Sequence, residues 1–183
     1  ATPEIVSSKE FAELAALMKD REWILHAATQ DLPCLNELGL YPGAIFDTEL
    51  AGRLSGQPRV GLGALTESLL NFRLAKEHSA ADWSTRPLPD SWLNYAALDV
   101  DLLHELATAV EALLNEQGKL DWAKQEFQAL MSFKPKAQKL DRWRGITGLH
   151  KVQDRSSLEI ARQLWNAREA LAQKMDVAPG RLI

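Results

Sequence analysis

A single cysteine, Cys34, in 183 residues rules out any internal disulfide and fits a reducing compartment. Long apolar runs are missing as well. None approaches the roughly 20 residues that span a bilayer, and Ala1 to Glu10 lack the basic-then-apolar order of a secretion signal, so a cytoplasmic protein without a membrane partner is expected. No internal repeat or low-complexity tract appears. An excess of positive charge is also absent: the formal net charge of -4 argues against a general-purpose polyanion binder. What is present, 46% apolar and 25% charged residues with ten Gly and eight Pro, describes a folded chain of one to two domains.

The average charge conceals a division. Ala1 to Phe133 holds 10 Lys plus Arg against 20 Asp plus Glu, whereas Lys134 to Ile183 holds 11 against 5. We therefore expect a first domain over 1–133, a linker over 134–141 beginning Lys134-Pro135-Lys136, and a second, helical unit over 142–183.

Hydrophobic periodicity supplies the elements. Ser7-x-x-Glu10 has the form of a capping box ahead of a helix carrying Phe11, Leu14, Leu17 and Met18. Trp23 to His26 and Ala44 to Phe46 are short apolar runs of strand type, each leading into a helix: Asp31 reads as the N-cap of one, and Asp47-Thr48 opens the other. Gly61 to Leu70 is expected to be helical. A single long helix is expected from Asp90 to Gly118, another over Leu120 to Met131, and a last one capped by Ser156-x-x-Glu159. Strand–helix alternation confined to the first third, with only two strands, predicts a mostly helical partial α/β domain, because a two-stranded sheet is marginal alone.

Several residues have the chemistry for a site. Tyr95 and Asp99 are four apart on the long helix and so share a face, where they can act on one ligand or be ordinary members of an amphipathic helix. Asp31 lies where a strand turns into a helix, the place where α/β folds gather ligands, and its plain alternative is a helix cap. A pair of carboxylates from two such places can share a divalent ion, and Mg²⁺ prefers carboxylate and water oxygens. Asn71 to Pro89 is a long aperiodic stretch in which Lys76 and Arg86 are candidates to contact nucleic-acid phosphate, with bracing of the loop through Asp82 or Asp90 the alternative for Arg86. Trp83 in that stretch is read as loop packing, His26 as a satisfied buried histidine, Cys34 as a small core residue, Asp47 as a helix cap and Glu49 as a solvated first-turn acid.

Taken together, four motifs carry a family resemblance: His26-Ala-Ala-Thr-Gln-Asp31-Leu-Pro-Cys-Leu35, Phe46-Asp47-Thr48, Lys76-Glu-His-Ser-Ala-Ala-Asp82-Trp83-Ser-Thr-Arg86-Pro87-Leu88, and Tyr95-Ala-Ala-Leu-Asp99-Val100. In this order and spacing the chain resembles the ribonuclease D family, 3′–5′ exoribonucleases of the DEDDy group with an RNase H-like fold. The likeness runs from Trp23 to Asp121, and Trp143 to Ile183 looks like the beginning of the all-α HRDC domain that follows in that family.

The resemblance implies roles for three residues. Asp31 corresponds to the second motif's metal-binding Asp, Tyr95 to the Tyr that orients the attacking water, and Asp99 to the third motif's metal-binding Asp. It also implies two divalent ions, Mg²⁺ or Mn²⁺, an RNA partner with a free 3′ end, and trimming of RNA precursors of the transfer-RNA type. The family's first motif, an Asp-x-Glu on the first strand of the sheet, should lie well before Trp23, where the sequence reads as helix. That pair is expected to be absent, which makes this chain a piece of the enzyme, inactive as it stands and prone to self-association. A DNA-directed exonuclease and a non-catalytic nucleic-acid-binding module are the alternatives.

Overall fold

Along the chain run α1 (Pro3–Val6), α2 (Lys9–Met18), β1 (Glu22–Leu25), α3 (Ala28–Glu37), β2 (Ala44–Asp47), α4 (Thr48–Leu54), α5 (Leu62–Leu70), α6 (Asp90–Asp101), α7 (Leu103–Glu116), α8 (Leu120–Leu130) and α9 (Arg155–Met175). This computed structural model describes residues 3–74, 81–83, 85–134 and 141–182. It divides into two compact units, Ala1–Pro135 and Lys136–Ile183. The expected mostly helical architecture with two strands is borne out.

The strands β1 and β2 are parallel and pair in the register Trp23 with Ile45 and Leu25 with Asp47. Both therefore end at the same edge, where α3 and α4 start side by side. Entry to the pair is tight. Asp20 turns the chain at φ 62°, and a Cβ on Gly43 would stand 2.6 Å from the Asp20 backbone, so only glycine fits there.

The main core of the first unit gathers Phe46, Leu65, Leu106, Val110, Leu114 and Phe127. The rings of Phe46 and Phe127 lie 4.9 Å apart and tilted, a favoured aromatic arrangement. A smaller cluster of Ala28, Leu32 and Ile45 pins the inner face of α3 against β2. Because Ala28 and Leu32 are one turn apart on that face, Asp31 is turned outward and is exposed.

Four sequence expectations are corrected. The helix behind β1 starts at Ala28, not at Asp31, which instead sits inside the first turn. The long helix is two: Leu102, at φ -91° and ψ -1°, separates α6 from α7. The physical reason is a change of burial. Leu98 and Val100 stay exposed, whereas α7 buries Leu103, Leu106, Ala107, Val110 and Leu114, so the bend frees α7 to press on the core. The caps also shift: Ser8 caps α2 by accepting from Phe11 N–H at 3.1 Å, and Asp154 caps α9 by accepting from Ser157 N–H at 2.7 Å. Cys34 is exposed rather than a core residue.

In the second unit, Trp143 is buried and the indole of Trp165 carries the guanidinium groups of Arg142 and Arg168, at 5.5 and 6.0 Å from its centroid. Both arginines also meet the Glu169 carboxylate. Arg144 pairs with Asp141 and Arg162 with Glu159, so these arginines too are engaged by carboxylates of their own unit.

No helix among the described residues is long and apolar enough to cross a membrane.

Candidate active site

The common edge where β1 and β2 end is organised by two adjacent side chains. Asp47, only 3% exposed, caps α4 by accepting from Glu49 N–H and Leu50 N–H at 2.9 and 3.0 Å. The same carboxylate accepts from Ala27 N–H at 3.2 Å and Ala28 N–H at 2.8 Å, at the start of α3. Thr48 is fully buried and donates its hydroxyl to the Leu25 carbonyl at 3.1 Å. Its oxygen lies 2.9 Å from Nδ1 of His26. With the hydroxyl hydrogen directed at Leu25, that second contact needs the Nδ1–H tautomer of His26, which leaves Nε2 with a lone pair.

Four carboxylates act on this imidazole. Burial lowers the His26 pKa, and Asp47, Glu49, Asp31 and Asp99, in that order, pull it back up. Two residues assigned from the sequence, one on α3 and one on α6, thus fall within electrostatic reach of the same ring. Asp31 is pushed above the ordinary carboxyl range by desolvation and by the charge of Asp47, against a smaller pull from His26. Asp99 is also raised by desolvation, opposed by a hydrogen bond from Tyr95 and by His26. The Tyr95 phenol is itself raised by desolvation, then by the Asp99 charge and hydrogen bond, so it remains a protonated donor at neutral pH.

Tyr95 and Asp99 open onto a cavity of about 1020 Å³ whose other walls come from Arg59, the start of α5, Glu67 and Arg73. Arg73 is held by Glu67 through contacts of 3.0 and 2.6 Å. Arg59 makes no ion pair among the described residues. Such a volume is at the upper end of the range typical of small-molecule sites, with room for an extended ligand. Sequence reasoning missed Arg59; the available signal was a basic residue just ahead of the Gly61-Leu62-Gly63 helix start.

Arg86 donates to the carbonyls of Trp83 and Thr85 at 2.9 and 2.8 Å, which braces its own loop. Lys76 lies outside the described residues. Trp83 packs on Trp92 and Tyr95, with ring centroids 5.4 and 6.3 Å apart, in keeping with a packing role. Glu49 is paired with Arg53 rather than freely solvated.

No three His, Cys, Asp or Glu residues among those described are placed to hold a metal ion. Asp-x-Glu spacing does occur upstream, at Asp20-Arg21-Glu22, contrary to the expectation that the segment has none. Asp20 is in the turn before β1 and Glu22 is its first residue, at the end of the strand away from α3, so neither stands at the edge that carries His26.

A family model described as 3′–5′ exonuclease matches residues 2–115. The chain belongs to the 3′–5′ exonuclease family. Within it, the chain is 34% identical to a ribonuclease D of Gluconacetobacter diazotrophicus over 182 residues, covering 95% of this chain and 45% of that protein. The likeness to ribonuclease D read from the motifs is thereby borne out. This exonuclease-family chain spans between 38% and 45% of the length of three of the curated ribonuclease D relatives it matches. A crystal structure of a protein from Bifidobacterium adolescentis superposes with a TM-score of 0.82 at 50% identity, covering 87% of this chain and 39% of that one. Brucella melitensis NrnC with bound Mg²⁺ gives a TM-score of 0.59 at 28% identity and 69% coverage of each chain.

Proposed function

We propose that this chain carries the second and third metal-binding motifs of a divalent-metal-dependent 3′–5′ exoribonuclease, with Asp31 and Asp99 as ligands and Tyr95 as the residue that aligns the attacking water. The observation that carries the reading is the Tyr95–Asp99 hydrogen bond at the wall of a large cavity, with Asp31 and Asp99 both raised by desolvation around His26. The ribonuclease D relatives support RNA as the substrate, and the Mg²⁺-bound neighbour supports a divalent metal.

The donor set suits that metal. Carboxylate oxygens are hard ligands of the kind Mg²⁺ and Mn²⁺ prefer, and a cation would relieve the desolvation that holds both carboxyls up. When bound, divalent ions activate water and stabilise the leaving oxygen. The chain's own residues do the rest. Asp31 on α3 and Asp99 on α6 present charge from two elements, and the Tyr95 hydroxyl, fixed on Asp99, orients the water toward the terminal phosphorus. A P–O bond forms to the water oxygen, the bond to the 3′ oxygen breaks, and the water proton ends on that leaving oxygen, releasing a nucleoside 5′-monophosphate. Two carboxylates are too few to hold two ions about 4 Å apart, so this chain by itself binds metal weakly and is silent.

Arg59, and Lys76 by its place in the motif, meet the RNA backbone, while Arg86 serves the loop. Lys136–Ile183 is read as the opening of an HRDC-like helical module. The natural substrate is a structured RNA precursor with a free 3′ end. The test is digestion of 5′-labelled RNA and DNA oligonucleotides by the full-length protein with Mg²⁺ or Mn²⁺, alongside Asp99→Asn. Stepwise 3′ shortening of RNA that is lost in D99N is expected; a DNA preference selects the DNA-directed alternative, and full activity in D99N contradicts the site.

A further inference from the structure

The helix that carries Asp31 has no cap of its own. Its N-cap residue, Ala27, is in the left-handed region at φ 62° and ψ 53° and has no side-chain oxygen to offer the first-turn amides. The first of those amides, and the N–H of Ala27 itself, are served by a residue from the neighbouring strand. Asp47 Oδ2 accepts from Ala28 N–H at 2.8 Å and Oδ1 from Ala27 N–H at 3.2 Å, while Oδ1 also receives the two first-turn amides of α4. One buried carboxylate thus holds two helix starts at once.

The next residue completes the grip. Thr48 fixes the Leu25 carbonyl and the His26 ring, so the whole turn from β1 into α3 is tied to the Asp47-Thr48 pair. Asp31 lies one turn into that helix, close enough for the Asp47 charge to act on it.

We propose that Asp47 is a positioning residue for Asp31: by capping α3 from outside, it sets where the Asp31 carboxylate stands at the strand edge. This rests on the reading of Asp31 as a metal ligand. Residues that orient a metal ligand without touching the metal typically alter affinity or activity by about 10- to 100-fold when lost.

Asp47→Ser separates the two jobs of this side chain. Serine is a good N-cap for α4, but its single short oxygen does not reach Ala27 and Ala28 as well. Asp47→Asn is the second variant, nearly isosteric and with one acceptor oxygen in place of two. The full-length protein is used, with Mn²⁺ affinity read by electron paramagnetic resonance, and kcat and KM read separately on an RNA oligonucleotide. The expected result is Mn²⁺ binding weakened about 10- to 100-fold and a fall in kcat, with the KM for RNA little changed and a folded circular dichroism spectrum. Unchanged Mn²⁺ affinity in folded variants overturns the proposal. So does failure of both variants to fold, which assigns Asp47 to the fold alone. Asp31→Asn run beside them separates the two claims: if it leaves Mn²⁺ affinity intact, the ligand reading has failed, and if it weakens binding while Asp47→Ser does not, only the positioning role has failed.

Discussion

Replacing Tyr95 by Phe removes one oxygen and leaves the ring that packs on Trp83. The lost group is a donor to a carboxylate, and such hydrogen bonds are worth about 1.5–3 kcal/mol. If that contact is made while the bond breaks, kcat falls by about 10- to 150-fold. Stability should fall by less than that full worth, because the ring stays and water can solvate the half-buried Asp99 carboxylate in place of the hydroxyl. A second signature comes from Asp99. Burial raises its pKa and the Tyr95 hydrogen bond lowers it, so removing the hydroxyl leaves burial less opposed and the carboxyl titrates at higher pH. In the metal-free protein the Asp99 carboxyl should therefore titrate at higher pH in Y95F than in the wild type. The assays are mononucleotide release from RNA at neutral pH and saturating metal, a carboxyl titration of the metal-free protein followed by nuclear magnetic resonance, and a thermal melt of each protein. A variant with wild-type kcat, or an Asp99 titration displaced downward, refutes the reasoning about this pair.

Arg59→Ala should raise the KM for RNA about tenfold in the full-length protein and reduce the salt slope of binding by about 1, without lowering the melting temperature. Unchanged salt dependence removes Arg59 from the RNA path. Asp31→Asn and Asp99→Asn should stabilise the metal-free protein at neutral pH. Each carboxyl binds its proton more tightly folded than unfolded, so ionisation above about pH 4 costs stability and the gain vanishes below it. Calorimetry at neutral pH and near pH 3 checks the sign. Phe127→Ala should cost about 3–5 kcal/mol in urea unfolding, because it opens a cavity beside Phe46 in the main core. Self-association of the 183-residue chain is expected from the exposed Leu14 and Leu17 and the two-stranded sheet, and light scattering after size exclusion tests it.

What the sequence disclosed follows a physical line. The Tyr95–Asp99 pair was legible because a four-residue spacing places two side chains on one helical face whatever surrounds them, and the hydrogen bond between them follows from that local geometry. The strands at Trp23 and Ala44 were legible as short apolar runs between turn residues. Asp31 was misread as a cap because the true cap of its helix is Asp47, a residue distant in sequence that reaches it only through strand pairing. The bend at Leu102 carries no Pro or Gly and arises from the core that α7 must meet. Arg86 could not be divided between RNA and loop bracing until the carbonyls of Trp83 and Thr85 were seen within its reach. Arg59 joins the cavity through folding alone, since 40 positions separate it from Asp99.

The central claim, that Asp31 and Asp99 serve one cation, is met most directly by titrating Mn²⁺ into the isotopically labelled full-length protein and following its nuclear magnetic resonance signals. The account predicts that the side-chain carboxyl signals of Asp31 and Asp99 broaden together at the same metal concentration, with the His26 ring affected alongside, and that Asp31→Asn abolishes the effect at Asp99. Broadening at one carboxylate with the other untouched, or at neither, contradicts it.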